Sequence, residues 1–402
     1  AFMVADQVDI LTRSYKPDAQ PVKWSGTGDS TYQIEEISKE DRGTEIVLHI
    51  SEDTEEYLDE TRINTLLTKY CGFMPIPIHF NNEVINDTEP IWNQNPSELT
   101  NQNYQDFYQK LYPGSQPPLF WIHLNVDYPF SLTGILYFPK LSNQLEVQRN
   151  KIQLYANQVY VTDAVEDIVP EFLTLLHGVM DSPDIPLNVS RSNLQADSRV
   201  KKISNYIVKK VAEKLESLFN EDRKNYEEKF EDIHVFLKYG FLTNDKFKEK
   251  AQPLILMRNT ERKYFTVEEY KNKVKDLQTD KDGNVIFLYT NDQAGQQTYI
   301  EAAQKREFDV LVFDHPIDSH FIQTIEGEDE NVQVKRVDAD SLDNLINTGE
   351  NKESALSEEQ QNQLKETFNN VINDEQTTVE TEALSPDDQP LVITQAEFTR
   401  RM

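Results

Sequence analysis

Ile203, Ile207, Val211, Leu215 and Phe219 recur every four residues in one polar run, and that stripe is the strongest constraint on the fold. It predicts a helix from about Ser192 to beyond Phe219 with one buried face. Lys201, Lys202, Lys209, Lys210 and Lys214 fit its solvated side. Upstream, LFWIHLNVDY, TGILYFP and KIQLYANQVYV have strand composition. TNQNYQDFYQKLY sets Tyr104, Phe107, Tyr108 and Leu111 at helical spacing. Val165, Ile168, Val169, Phe172, Leu173, Leu176 and Val179 predict a further helix over 163–180.

The flanking regions repeat this mixture. Val4, Val8, Ile10 and Leu11 predict a first strand, Gly26 to Asp29 a turn before TYQIEEI, and Glu45 to Ile50 another strand. Asp53 or Thr54 is the expected cap of a helix presenting Leu58, Ile63, Leu66, Leu67 and Tyr70, ended by Pro75 and Pro77. Residues 220–275 read as helical around Phe230, Ile233, Phe236 and Leu237. A small unit follows: strand VIFLYT, helix QTYIEAAQKR, strand DVLVFD. The acidic tail predicts the helix SEEQQNQLKETFNNVI and two short strands, TTVETEA and PLVIT. The class is α/β in the α+β multidomain sense.

At 402 residues the chain exceeds one hydrophobic core, so two to four domains are expected. Forty basic against seventy acidic residues leave a net charge of −30, which disfavours nucleic acid and anionic membrane as partners. The lone Cys71 excludes an internal disulfide and fits a reducing compartment. AFMVADQVDI has no basic leader and no apolar run approaches a bilayer span, so cytoplasm is the expected location. The alternation at the N-terminus suggests a chain that begins inside a domain, and RRM stops where another helix should start.

The segment DSPDIPLNVSRSNLQ puts one fixed cation, Arg191, in a polar loop with Asn188, Ser190 and Gln195 around it. A guanidinium so placed can reach a phosphate held elsewhere. A capping loop with Asn188 or Ser190 as cap and Arg191 solvated fits the same residues. DKDGN at 280–284 lacks calcium-loop ligands and reads as a turn. Seven histidines without HExxH or a Cys/His pairing give no metal site.

The run IQLYANQVYVTDAVEDIVPEFLTLLHGVMDSPDIPLNVSRSNLQ closely resembles the 90-kDa heat-shock chaperone family in its bacterial form. So do RGTEIVLHISEDTEEYLDETRINTLLTKYCGFMPIPI, INDTEPIWNQNP, LFWIHLNVDYPFSLTGILYFPK and IDSHFI, in family order to about residue 325.

The resemblance implies a partial GHKL-type ATPase sheet over 1–82, related to gyrase and histidine kinases. An αβα middle domain would follow over 83–200, with a helical connector over 201–250 and a small α/β part over 251–345. Residues 355–402 would begin a mixed C-terminal dimerisation domain. NNEVINDTEP is short for the charged, variable linker implied there.

It further implies an ATP-dependent stress-response chaperone, homodimeric, that binds partly folded clients and takes ATP and Mg in the intact parent. Arg191 would reach the γ-phosphate as an arginine finger does, with Gln195 as its partner and Asn188 supporting the loop. Thr44 would lie near the adenine, although a β-branched residue in a strand needs no such role. The family's catalytic glutamate, adenine-binding aspartate, magnesium-binding asparagine and lid precede Ala1, so the chain alone should neither hold nucleotide tightly nor hydrolyse it. Trp121 and Phe120, near Tyr128 and Phe130, and His320 with Phe321 are candidates for client contact, with core packing the competing reading for Trp121. The alternatives are a nucleotide-independent interaction scaffold and a DNA-processing relative, the latter disfavoured by charge.

Overall fold

The computed structural model describes residues 1–140, 151–165, 168–185, 198–349, 354, 356–372, 374, 377–383 and 390–395. Four antiparallel strands open the chain: β1 (Ala5–Arg13), β2 (Val22–Gly26), β3 (Tyr32–Glu36) and β4 (Gly43–Ile50), in the order β3-β2-β1-β4. Their register puts Ile10 opposite Trp24 and Ile46, and Trp24 opposite Ile34. Val8 lies opposite Gly26 and Leu48, and Gly26 opposite Tyr32. Directly opposed residues share a face, so one side of this sheet is apolar. It is also open: Tyr32, Ile34 and Ile46 are each more than 60% exposed.

The helix expected to start at Asp53 or Thr54 starts later. Residues Glu52–Leu58 form a 3₁₀ turn, and the Thr54 hydroxyl donates to the Val4 carbonyl at 2.8 Å instead of capping. Asp59 is the cap of α1 (Glu60–Cys71), its carboxylate accepting the Arg62 N–H at 2.8 Å.

Beyond α1 the chain makes a closed excursion. Strands β5 (His79–Phe80) and β6 (Glu83–Val84) pair around Asn81 and Asn82, both at positive φ as a tight hairpin turn requires. Asn86 donates to the carbonyls of Met74 and Ile76 and accepts the Ile78 N–H. At the neck the Asp87 N–H meets the Gly72 carbonyl at 2.9 Å. The Gln158 amide donates to both Phe73 and Thr88 carbonyls, at 2.9 and 3.0 Å.

The second sheet has α2 (Asn101–Leu111) on one face, started by a Thr100–Asn103 capping box. Its strands are β7 (Phe120–Val126), β8 (Leu132–Phe138), β9 (Lys151–Ala156), β10 (Val159–Thr162) and β11 (His177–Asp181), in the order β10-β9-β11-β8-β7. Ile135, Tyr137, Tyr155 and Val179 meet Tyr104, Phe107 and Tyr108 of α2. Ile122, Leu124, Leu136 and Ile152 meet the stripe Ile203, Ile207, Val211 and Leu215 of α3 (Ser198–Glu221). Alternation along the strands thus builds a helix–sheet–helix sandwich.

The helix expected over 163–180 is absent from the described part of that stretch. Glu171–Leu175 is a 3₁₀ turn, and the residues after it are β11, central in the sheet and buried at every position. A strand covered on both faces reads as a continuous apolar run, which here also satisfied helical spacing. Gly178 is indispensable in it: its φ is +134°, and a Cβ would lie 2.0 Å from the Ile135 carbonyl oxygen. Its N–H donates to the Tyr112 hydroxyl at 2.7 Å, and that hydroxyl donates to the Gly178 carbonyl at 3.2 Å.

Helices α4 (Arg223–Thr243) and α5 (Asp245–Ala251) lead to a third sheet. Its strands are β12 (Met257–Asn259), β13 (Tyr264–Phe265), β14 (Val285–Thr290), β15 (Val310–Val312) and β16 (Val332–Arg336), ordered β13-β12-β15-β14-β16. Helices α6 (Val267–Val274), α7 (Gln297–Lys305), α8 (Asp318–Glu328) and the short α9 (Leu342–Leu345) accompany it. Residues 280–284 are a turn as expected, with Asp280 accepting the N–H groups of Asp282 and Asn284. Helix α10 (Glu358–Ile372) follows. The two strands expected in the tail do not form among described residues 377–383 and 390–395, since alternation alone makes no strand without a partnering edge.

A buried polar cluster joins α4 to α8. The Lys238 ammonium pairs with the Asp318 carboxylate, both side chains at most 6% exposed, and lies 5.2 Å from the Phe321 ring centre. His234 sits edge-on to His315 at 5.7 Å. Burial first, then the Lys238, His315 and Arg258 charges, lower the His234 pKa to about 3. The native state therefore excludes a proton that the unfolded chain binds below about pH 6.5. This contribution is complete above that pH and falls by up to about 1.4 kcal/mol per unit as pH drops toward the native value. The urea midpoint should fall between pH 7 and pH 4, and His234→Gln should flatten that slope. An unaltered slope in the variant would clear His234 of the effect.

Candidate functional site

Strand β11 ends at Asp181, and the chain leaves the sheet there through a pinned turn. The Ser182 N–H donates to the Tyr155 carbonyl at 3.0 Å, and its hydroxyl to the Ser131 carbonyl at 2.6 Å. Asp184 accepts the Ser131 N–H at 2.7 Å, and Ile185 is buried. On the far side α3 is seated by buried Val200 and Ile203. The described chain on both sides of residues 186–197 is therefore fixed to the same sandwich. Arg191, Gln195 and Asn188 themselves lie outside the described residues.

Asp181 is a polar group that sequence reading missed. Its carboxylate is buried, accepts the Gln158 N–H at 2.9 Å and the Trp92 indole N–H at 3.3 Å, and burial raises its pKa. The same oxygen thus joins the start of the middle sandwich, the β9–β10 turn and the strand that feeds the loop. The DSPD tetrapeptide signalled a turn, and nothing in it distinguished the buried Asp181 from the anchoring Asp184.

Thr44 stands on β4 opposite Thr12, the two hydroxyls 2.8 Å apart and exposed. It continues the row of Ile46 and Leu48 on the open apolar face. The client candidates separate. Phe120 is buried and stacks on Phe138 at 4.1 Å, and Phe321 is buried against Phe241 and Phe313. Neither ring is available to a partner. Trp121 is half-buried, stacked on Tyr104 at 5.1 Å. His320 is exposed, and Tyr128, at 88%, is the most exposed ring of its group.

Among the described residues no cluster of His, Cys, Asp or Glu could hold a metal ion, and no helix is long and apolar enough to cross a membrane.

The chain belongs to the Hsp90 family: the family profile described as Hsp90 protein matches residues 79–401. The chain is 50% identical over 420 aligned positions to the chaperone protein HtpG of Bacteroides thetaiotaomicron, covering all of this chain and 62% of that protein. It is 47% identical to the HtpG of Porphyromonas gingivalis, again across its whole length and 61% of the relative. With the HtpG of Geobacter sulfurreducens it shares 30% over 80% of this chain and 54% of that one. The chain spans about three fifths of the length of the Bacteroides and Porphyromonas relatives.

Proposed function

We propose that this chain belongs to an ATP-dependent, HtpG-type chaperone that acts in the cytoplasm as a homodimer. In this reading it binds partly folded clients and supplies Arg191 to the γ-phosphate of ATP held with Mg by the N-terminal domain. The observation that carries this reading is the alignment with HtpG proteins along the whole chain. The anchored described chain on either side of residues 186–197 supports it, because a cation that must meet a separately held phosphate works best from a fixed base. Gln195 and Asn188 act with Arg191 in orienting and supporting the loop, and Thr44 lies near the adenine. Residues 1–82 form the end of that domain, 83–200 the large middle part, 201–250 the connector, 251–345 the small α/β part and 355–402 the start of the dimerisation domain.

The client surface draws on exposed His320 and Tyr128 and the free edge of Trp121, not on the buried Phe120 and Phe321. The test is suppression of aggregation of a partly folded client by the intact parent, with and without ATP and Mg. Nucleotide should change both the extent of protection and the rate of client release. Protection indifferent to nucleotide would instead favour an interaction scaffold.

The open face of the first sheet fits the same reading, since an apolar sheet face requires a cover. The residues of the nucleotide domain that supply the catalytic glutamate and the lid would provide it. Two consequences follow for the chain taken alone. It should show no saturable ATP binding by calorimetry at millimolar nucleotide. It should also bind an apolar dye, and Ile34→Lys with Ile46→Lys should remove roughly half of that signal at unchanged circular dichroism. Full dye binding by the double variant would place the sticky surface elsewhere.

A further inference from the structure

A cavity of about 210 Å³ lies between α7, the turn before α9 and the segment 391–393. Tyr299, Ala302, Val337, Leu342, Leu391 and Ile393 give it apolar walls, and Asp340 and Ser341 give it one polar end. The segment is held in place by the Tyr299 hydroxyl, which donates to the Ile393 carbonyl, and by the Gln395 N–H on the Asp338 carbonyl at 3.2 Å.

Ser341 is the unusual residue. It occupies the N-cap position of α9, yet its hydroxyl makes no capping bond. The residue is 8% exposed and its Oγ has no hydrogen-bond partner. A buried hydroxyl without a partner is costly and native structures rarely keep one idle. Beside it Asp340 is exposed, with one carboxylate oxygen engaged by the Ser341 N–H at 2.7 Å and the Asn344 amide at 3.0 Å. The other oxygen takes part in neither bond, and the Lys335 cation interacts with the same carboxylate.

We propose that this cavity binds a small primary amine with an aromatic or branched aliphatic body. The body lies between Ala302, Val337 and Leu391, and the ammonium donates to Ser341 Oγ and the second oxygen of Asp340. Size, chemistry and charge agree. A cavity of ~150 Å³ already accepts benzene, so this one has room for a ring with a short arm. A hydroxyl beside a carboxylate is an acceptor pair suited to an ammonium. The net charge of −30 draws cations toward the surface. The proposal is independent of the chaperone reading and of the 186–197 loop.

The experiment is a titration of the full chain with phenethylamine and, separately, ethylbenzene, followed by methyl NMR of the Ile, Leu and Val residues. Phenethylamine should saturate with Kd on the order of 0.1–1 mM, shifting the Val337, Leu342 and Leu391 methyls. Ethylbenzene should bind roughly tenfold more weakly for want of a head group. Ser341→Ala should weaken phenethylamine by about tenfold while leaving the Tm of the free chain unchanged or raised, because the hydroxyl it removes bonds to nothing. Ala302→Leu should fill the cavity and abolish binding. No methyl shift at saturating phenethylamine would overturn the proposal, as would equal binding by Ser341→Ala or ethylbenzene matching the amine. If Ala302→Leu fails to fold, the Ser341→Ala comparison still decides.

Discussion

Arg191→Ala in the intact parent is expected to lower ATP turnover roughly 10²-fold with nucleotide affinity nearly unchanged. The asymmetry follows from where the cation acts. In the proposed arrangement the ground-state nucleotide would be held by another domain, so removing a group that arrives from outside would take little binding with it. The guanidinium would neutralise charge developing on the transferred phosphoryl group, and a 10²-fold loss corresponds to about 2.7 kcal/mol for that contact. Arg191→Lys should fall between the two, since a point charge replaces part of the field without the planar fork. The measurement is steady-state turnover alongside equilibrium nucleotide binding. Turnover within a factor of two of wild type would reduce Arg191 to a structural residue and leave the family assignment intact. A parallel loss of affinity would place Arg191 in ground-state binding.

The second large effect concerns the buried pair Lys238–Asp318. Its partners come from α4 and α8, and the Asp318 carboxylate also accepts the His315 N–H at 3.0 Å. Truncating one member leaves the other charged, buried and unpaired, at a cost of about 3–5 kcal/mol. Lys238→Ala also strips aliphatic stem from the Phe313 and Phe321 rings it lies over. Urea unfolding should show a drop of that size for Lys238→Ala and for Asp318→Ala. The joint change Lys238→Met with Asp318→Leu should recover much of it, because no orphaned charge remains. Additive losses in the joint variant would mean that packing, not the charge pair, sets the stability there.

Most elements were legible because their patterns were long and one-sided. The stripe on α3 agrees at five successive positions, and Tyr104, Phe107, Tyr108 and Leu111 mark α2 by helical spacing. Failures share a physical cause: the deciding partner was distant in sequence. Strand β11 is buried on both faces, so its apolar run carried no period that could separate strand from helix. Phe120 and Phe321 carry the same residue type as an exposed anchor would, and only packing against Phe138 or Phe241 puts them inside. The anchoring of the loop by Ser131 depends on a contact across fifty residues, invisible to local reading. Arg191 was singled out by its polar setting and by the resemblance around it, and Asp181 by neither.

The closed neck between Gly72 and Thr88 makes residues 74–86 a side branch instead of a connecting strut. Mechanical continuity between the first sheet and the middle sandwich runs through the neck and the two carbonyls gripped by Gln158. Chain added at Asn81–Asn82 enlarges a ring that is already shut, and each doubling of such a ring costs only about 0.6 kcal/mol in closure entropy. The excursion is thus a place where evolution can write new sequence of almost any length without reseating the units on either side.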